Sequence, residues 1–134
     1  MSDAAATGGL TAVVYAKDLD RVATFYEHVV GLTAIERAAG FVLLRAGATE
    51  LTVVRIRPDI AETIDIATPP VPRSETPVKL VFTVAGLEAA RPVAVAHGGD
   101  LEPADAAWTW HGLRRLDGVD PEGNVVQLCE RADG

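Results

Sequence analysis

The strongest constraint on the fold is an internal repeat. A pattern of one strand, one helix and three strands occurs in residues 10–57 and returns in residues 78–131. The two copies align with each other. Gly31 and Gly98, which end the two predicted helices, lie 67 residues apart, and the first residues of the two copies, 10 and 78, lie 68 apart. Two copies of one supersecondary unit predict an α+β domain in which two curved sheets meet around a shared cavity.

Local patterns place the elements within each copy. Apolar residues at helical spacing and strand alternation predict, in the first copy, a strand over 10–16, a helix from 18 to 31 and strands over 33–38, 41–45 and 49–56. The same patterns predict, in the second copy, a strand over 78–84, a helix over 87–97 and strands over 101–103, 112–117 and 125–130. The order is therefore β-α-β-β-β in both copies.

The copies are joined by a proline-rich segment. Residues 58–77 hold five of the eight prolines and are predicted to be a linker with an extended end. Residues 1–9 are small and polar and are interpreted as a flexible tail. We therefore predict a single domain over residues 10–131, made of module 10–57, the linker and module 78–131.

Composition and charge exclude several classes of protein. The chain of 134 residues is 49% hydrophobic and 23% charged, which indicates a folded domain with a core. Its net charge of −7 disfavours nucleic acid and anionic membranes as partners, because both attract basic surfaces. No apolar run approaches the length of a membrane span. The single cysteine, Cys129, cannot form an internal disulfide and favours a reducing cytoplasm.

Three motifs carry a resemblance to a known superfamily. Residues 18–32 are spaced as D-L-x-x-x-x-x-F-Y-x-x-x-x-G-L, residues 120–124 read D-P-E-G-N, and residues 108–112 read W-T-W-H-G just before a strand. This combination resembles the vicinal oxygen chelate superfamily, which includes glyoxalase I, the bleomycin resistance proteins and the extradiol dioxygenases. The resemblance covers residues 10–130 and implies two βαβββ modules that form a glyoxalase-like cup.

The resemblance also implies four inward positions. Metal-dependent members take ligands from the first and last strands of each module, and the matching positions here are Thr11, Glu50, Lys79 and Gln127. A divalent metal prefers His, Asp or Glu, and only Glu50 is of that kind, while a protonated Lys79 repels a dication. We therefore expect no metal and no other cofactor, and an ion pair between Glu50 and Lys79 across the cup.

Two roles for that pair stay open. In an enzyme, Lys79 would hold an anionic or carbonyl oxygen while Glu50 acts as a base, so these two are the candidate catalytic residues. In a protein without catalysis, the same pair would be a salt bridge that fills a former metal position.

Aromatic and basic residues complete the candidate site. Tyr15 shares a strand face with Thr11, and Trp110 shares one with Trp108; these rings can stack on a ligand, fill space or contact a second subunit. Arg114 and Arg115 point to opposite faces, so one of them can enter the cup and bind a carboxylate. The predicted ligand-binding set is Thr11, Tyr15, Glu50, Lys79, Trp110, Gln127 and Arg114.

These observations favour a metal-independent small-molecule-binding protein that resembles the drug-sequestering resistance proteins. One alternative is a glyoxalase-like lyase, isomerase or dioxygenase acting on a small oxygenated substrate, and another is a non-catalytic interaction module. An acidic cup favours a cationic ligand, whereas Lys79 with an arginine favours a carboxylate, and the residues leave this choice open. Small half-cups complete their apolar faces by pairing, so a cytoplasmic homodimer is expected.

Overall fold

The structure is a computed structural model that describes residues 9–132, so most of the predicted tail at 1–9 lies outside the described residues. The first module consists of β1 (Thr11–Ala16), α1 (Leu19–Phe25) with a π-helical last turn (Tyr26–Val30), β2 (Thr33–Arg37), β3 (Phe41–Ala46) and β4 (Thr49–Arg55). After a short helix α2 (Pro58–Ala61), the second module consists of β5 (Leu80–Thr83), α3 (Leu87–Ala96), β6 (Asp100–Leu101), β7 (Trp108–Trp110), β8 (Leu113–Val119) and β9 (Val125–Arg131).

The strands form two separate sheets with matching topology. The order is β1-β4-β3-β2 in the first sheet and β5-β9-β8-β6 in the second, where β7 pairs with β8. In each module the first strand lies parallel to the last, β1 beside β4 and β5 beside β9. The predicted α+β fold of two βαβββ modules is therefore confirmed.

The second module differs in detail from its sequence pattern. The run Trp108–Trp110, expected to precede a strand, is itself a short strand that forms a hairpin with β8. His111 and Gly112 make the turn with positive φ angles of 51° and 74°. β8 also extends to Val119, beyond the predicted end at residue 117. The sequence pattern ends before the strand does because a glycine, Gly118, weakens the strand signal. In the structure, a Cβ atom added at Gly118 would lie 2.5 Å from the backbone oxygen of Asp100.

The core lies on the side of each sheet that is covered by helices. Strand alternation buries Leu44, Leu51 and Val53 in the first sheet and Leu116 and Leu128 in the second. The helical sides of the two modules also meet each other. The ring of Tyr26 at the end of α1 lies 5.8 Å from that of Phe82 in β5, and His28 stacks on His97 at 4.5 Å.

The opposite side of each sheet is the face on which the candidate site lies, and we call it the inner face. On β1 the inner face carries Val13 and Tyr15, and in the second module it carries Val81 and Trp110, all of them exposed. No helix in the described residues is long and apolar enough to cross a membrane.

Candidate functional site

A chain of polar side chains crosses the inner face of the second sheet. Asp117 and Gln127 are directly paired between β8 and β9, so their side chains project together. The ammonium of Lys79 contacts both carboxylate oxygens of Asp117 at 3.0 and 3.1 Å. Gln127 Nε2 donates to Asp117 Oδ1 at 3.2 Å, and Gln127 Oε1 accepts from Arg115 Nη1 at 2.9 Å. Lys79, Asp117, Gln127 and Arg115 therefore form one connected network.

The network ends at an aromatic group on β7. The guanidinium of Arg115 lies 4.9 Å from the centre of the Trp110 ring, and its Nε donates to the Trp110 carbonyl at 3.3 Å. His111 contacts the same ring edge-on at 4.2 Å. Arg115 thus has a ring and two neutral oxygens as partners, which hold the guanidinium in place without neutralising its charge.

The inner face of the first sheet has its own polar group. Thr11, Glu50 and Arg45 are directly aligned across β1, β4 and β3. Arg45 contacts Glu50 Oε2 through Nε at 3.2 Å and through Nη2 at 2.7 Å. The same face also carries Tyr15, which is exposed.

The predicted ion pair between Glu50 and Lys79 is wrong. Glu50 pairs with Arg45 of its own sheet, and Lys79 pairs with Asp117 of the other. The physical reason is proximity, because each partner lies within the same sheet: Arg45 is on the strand next to that of Glu50, and Asp117 is on β8, two strands from β5.

Arg114 does not share the inner face with Gln127. It points to the helical side, where Nη1 donates to Glu130 Oε2 at 2.6 Å. Glu130 Oε1 in turn accepts the backbone N–H of Leu87 at 2.7 Å, at the first residue of α3. The inward arginine is Arg115. Roles in ligand binding or catalysis for Thr11, Tyr15, Glu50, Lys79, Trp110 and Gln127 stay predictions.

Sequence reasoning missed Asp117 as a member of the site. The signal that could have found it is its alternation with Arg115 in the run Leu113–Val119, combined with the antiparallel register that sets it opposite Gln127. That register depends on the length of the turn between β8 and β9, which the strand pattern alone does not supply.

The four inward positions do not fit a divalent metal. Lys79 presents an ammonium group, the Gln127 amide oxygen is occupied by Arg115, and Glu50 is occupied by Arg45. Two cationic groups within the same network oppose a dication. In the part of the chain that the structure describes, no group of three or more His, Cys, Asp or Glu side chains is placed to hold a metal.

The D-P-E-G-N turn joins the two modules instead of contacting the site. The buried carboxylate of Asp120 accepts hydrogen bonds from the Tyr26 hydroxyl at 2.7 Å and from the Asn124 side chain at 2.8 Å. Glu122, only 4% exposed, accepts the backbone N–H groups of Lys17 and Asp18 at 2.8 and 2.6 Å. Burial, and next the negative charge of Asp120, raise the pKa of Tyr26 well above that of a free phenol.

Comparisons with known proteins agree with this architecture. The sequence model of the glyoxalase-like domain family matches residues 11–129. A glyoxalase/bleomycin resistance protein/dioxygenase family enzyme from Burkholderia phytofirmans PsJN is 24% identical, with a TM-score of 0.64 over 90% of this chain and 96% of that one. A glyoxalase/bleomycin resistance protein from Albidiferax ferrireducens T118 is 18% identical, with a TM-score of 0.62 over the same shares of the two chains.

A third solved structure belongs to a resistance protein. The fosfomycin resistance protein FosX from Mesorhizobium loti is 12% identical, with a TM-score of 0.63 over 92% of each chain. At such identities the likeness shows the fold alone. A comparison with curated protein sequences finds no match.

Proposed function

Because this chain belongs to the glyoxalase-like domain family, we propose that it is a metal-independent small-molecule-binding protein whose ligand lies against the inner face of the second sheet. The observation that carries the proposal is the network of Lys79, Asp117, Gln127 and Arg115. Two of its members, Lys79 and Gln127, lie at positions that match metal ligands in the metal-dependent members of the superfamily that the chain resembles, and both are already bound to protein partners.

The network is suited to recognition because its groups are held in advance. Gln127 is 6% exposed and uses both ends of its amide, one on Asp117 and one on Arg115. Arg115 has a fixed orientation on Trp110, and some of its N–H groups have no partner within the described residues. Side chains that are ordered before binding lose less entropy when a ligand arrives, so the site can bind without a metal.

We further propose that the protein is a cytoplasmic homodimer. Both inner faces expose apolar side chains, among them Val13, Tyr15, Val81 and Trp110. Exposed apolar patches of this kind mark interaction surfaces, and a second copy would cover them. Light scattering at tens of micromolar should give twice the mass of one chain, and a monomer at that concentration would contradict the dimer.

A thermal-shift screen tests the binding function. The panel sets basic glycopeptide antibiotics against small α-keto and 2-hydroxy acids, and is run on the wild type, Lys79→Met and a charge-matched control. Arg55→Met suits the control, because Arg55 is exposed on β4 and its side chain, within the described residues, donates one hydrogen bond, to the Ala39 carbonyl at 2.9 Å. A ligand at one hundred times its Kd adds about 2.7 kcal/mol to the free energy of unfolding.

The expected result is a shift with one class of compound that changes in Lys79→Met and persists in Arg55→Met. If a compound that binds is also converted to a product without added metal, and if this turnover is lost in Glu50→Gln, the enzyme alternative replaces the binding function. If no compound raises the melting temperature, the binding function is wrong and the interaction module is the remaining alternative.

A further inference from the structure

We propose that residues 69–72 roof a ligand pocket on the second sheet, and that this pocket selects an organic cation with an apolar body. The inference rests on the proposed function and names its ligand class. The pocket has a volume of about 490 Å³, which lies within the range of sites that hold drug-sized molecules.

The pocket has a roof and a floor from distant parts of the chain. It is lined by Pro69, Pro70 and Pro72 of the proline-rich segment and, among others, by Val119 and Val125 of β8 and β9. Val119 and Val125 are paired directly and lie two residues from Asp117 and Gln127, so the floor continues the inner face. The pocket is therefore an extension of the polar network and not a separate surface.

The roof is attached to the rigid turn that joins the modules. The backbone N–H of Arg73 donates to the Gly123 carbonyl at 2.7 Å. A Cβ at Gly123 would lie 2.2 Å from the Val71 carbonyl oxygen, so the segment rests directly on this glycine. Because prolines also restrict the segment, it should keep its shape when a ligand binds.

Charge gives the pocket its selectivity. Asp100 and Glu102 line it, and neither carboxylate has an ion-pair partner within the described residues. Asp117 also lines it but is neutralised by Lys79. Arg91 lines a neighbouring cavity together with Glu102 but donates to the Leu101 carbonyl at 2.8 Å. No lysine, arginine or histidine of the described chain lines the pocket itself, so a cation entering it meets two carboxylates that are without ion-pair partners.

The apolar part of the ligand would meet Trp108. Its side chain lines the pocket, and 42% of the residue is exposed, which leaves ring surface available for contact. An indole face attracts a cation and also stacks on flat apolar groups, and the prolines of the roof add apolar contact. Ring, prolines and carboxylates together favour an amphipathic cation over a neutral or anionic molecule of the same shape.

Three probes of matched shape test the inference by calorimetry: 1-naphthylmethylammonium, 1-naphthylmethanol and 1-naphthylacetate. At pH 7 and low salt, the cation should bind at least about tenfold more tightly than the acetate, with the alcohol between them. Trp108→Ala should weaken binding of the cation at least about fivefold, whereas Trp108→Phe keeps an aromatic face and should retain most of it.

The carboxylates are tested by a double variant with a matched control. Asp100→Asn with Glu102→Gln should bring the cation to the affinity of the alcohol. Glu36→Gln with Asp65→Asn removes the same total charge from exposed positions outside the pocket. In this control the ratio of the affinity for the cation to the affinity for the alcohol should stay within about twofold of the wild-type ratio. Circular dichroism confirms that each variant is folded before its binding is read.

Four outcomes would overturn the inference, three of them with a probe that binds. One is equal affinity for the cation and the acetate, and another is equal loss of cation binding in the two double variants. The third is cation binding that survives Trp108→Ala but is lost in Lys79→Met, which would leave the proposed function intact and move the ligand to the polar network. If none of the probes binds, the inference is wrong; if the antibiotic and acid panel also fails, the proposed function falls with it.

Discussion

The hydroxyl of Tyr26 donates a 2.7 Å hydrogen bond to the carboxylate of Asp120, joining the end of the first helix to the turn before the last strand. Both residues are fully buried. Asp120 also accepts the backbone N–H groups of Glu122 and Asn124 at 2.9 and 3.0 Å, so one side chain shapes the turn and connects the modules. The position of the second sheet relative to the first therefore depends on this contact.

Removal of the Tyr26 hydroxyl should destabilise the protein. In Tyr26→Phe the Asp120 carboxylate stays buried with one donor fewer, and we expect the free energy of unfolding to fall by about 1–3 kcal/mol. Urea denaturation measures the change. Thr49→Val is the control, because it removes a hydroxyl from an exposed residue at the start of β4, and it should stay within about 0.5 kcal/mol of the wild type. Equal effects of the two variants would show that the contact does not stabilise the fold.

Gly123→Ala should disturb the roof of the pocket as well as the turn. Gly123 has a φ of 87°, and its missing side chain leaves room for the Val71 carbonyl. We expect a loss of about 1–3 kcal/mol and faster proteolysis within residues 69–77. Gly40→Ala is the control, since its Cβ would meet no atom within 4 Å. Unchanged proteolysis in Gly123→Ala would contradict attachment of the roof to this turn.

Ionisation of the Glu130 side chain should make the stability of the folded protein depend on pH. The backbone N–H of Leu87, and then Arg114, lower the pKa of its carboxyl below the ordinary value of 4.5. A lowered pKa means that the ionised form favours the folded state, so its contribution is complete above the ordinary value and is lost as the pH falls through the folded pKa. Glu130→Gln should therefore be less stable than the wild type at pH 7, and the gap should close as the pH falls below 4.5.

Thermal unfolding of the two proteins from pH 7 to pH 3 measures this gap. The control is Val95→Ala on the exposed side of α3, which changes no titratable group and should give a nearly constant difference over the range. A gap between the wild type and Glu130→Gln that stays constant to pH 3 would contradict the role assigned to this carboxylate.

Much of the fold could be predicted because its signals are local. The alternation of Thr11, Val13 and Tyr15 indicates a half-buried strand without reference to any other part of the chain. The end of the first helix at Gly31 could be predicted in the same way, because helices often end at a glycine, and the φ of 91° at this position favours glycine. The repeat then implied two similar modules.

The partners of the site residues depend on register, which alternation does not supply. Glu50 pairs with Arg45 because β3 and β4 set them opposite each other, and Lys79 pairs with Asp117 two strands away in the second sheet. Sequence showed that Arg114 and Arg115 face opposite ways, yet the choice between them required the pairing of Arg115 with Cys129. The roof formed by residues 69–72 rests on backbone contacts and could not be read from side-chain patterns.

Binding without a metal is the central claim, and chelation tests it most directly. The measurement is the thermal shift produced by a panel compound that binds, recorded before and after exhaustive treatment of the protein with EDTA. We expect the same shift in both samples, because Lys79 and Gln127 stand in place of metal ligands and are bound to Asp117 and Arg115. A shift that disappears on chelation, returns with Zn²⁺, Ni²⁺ or Fe²⁺ and is absent in Glu50→Ala would contradict the account.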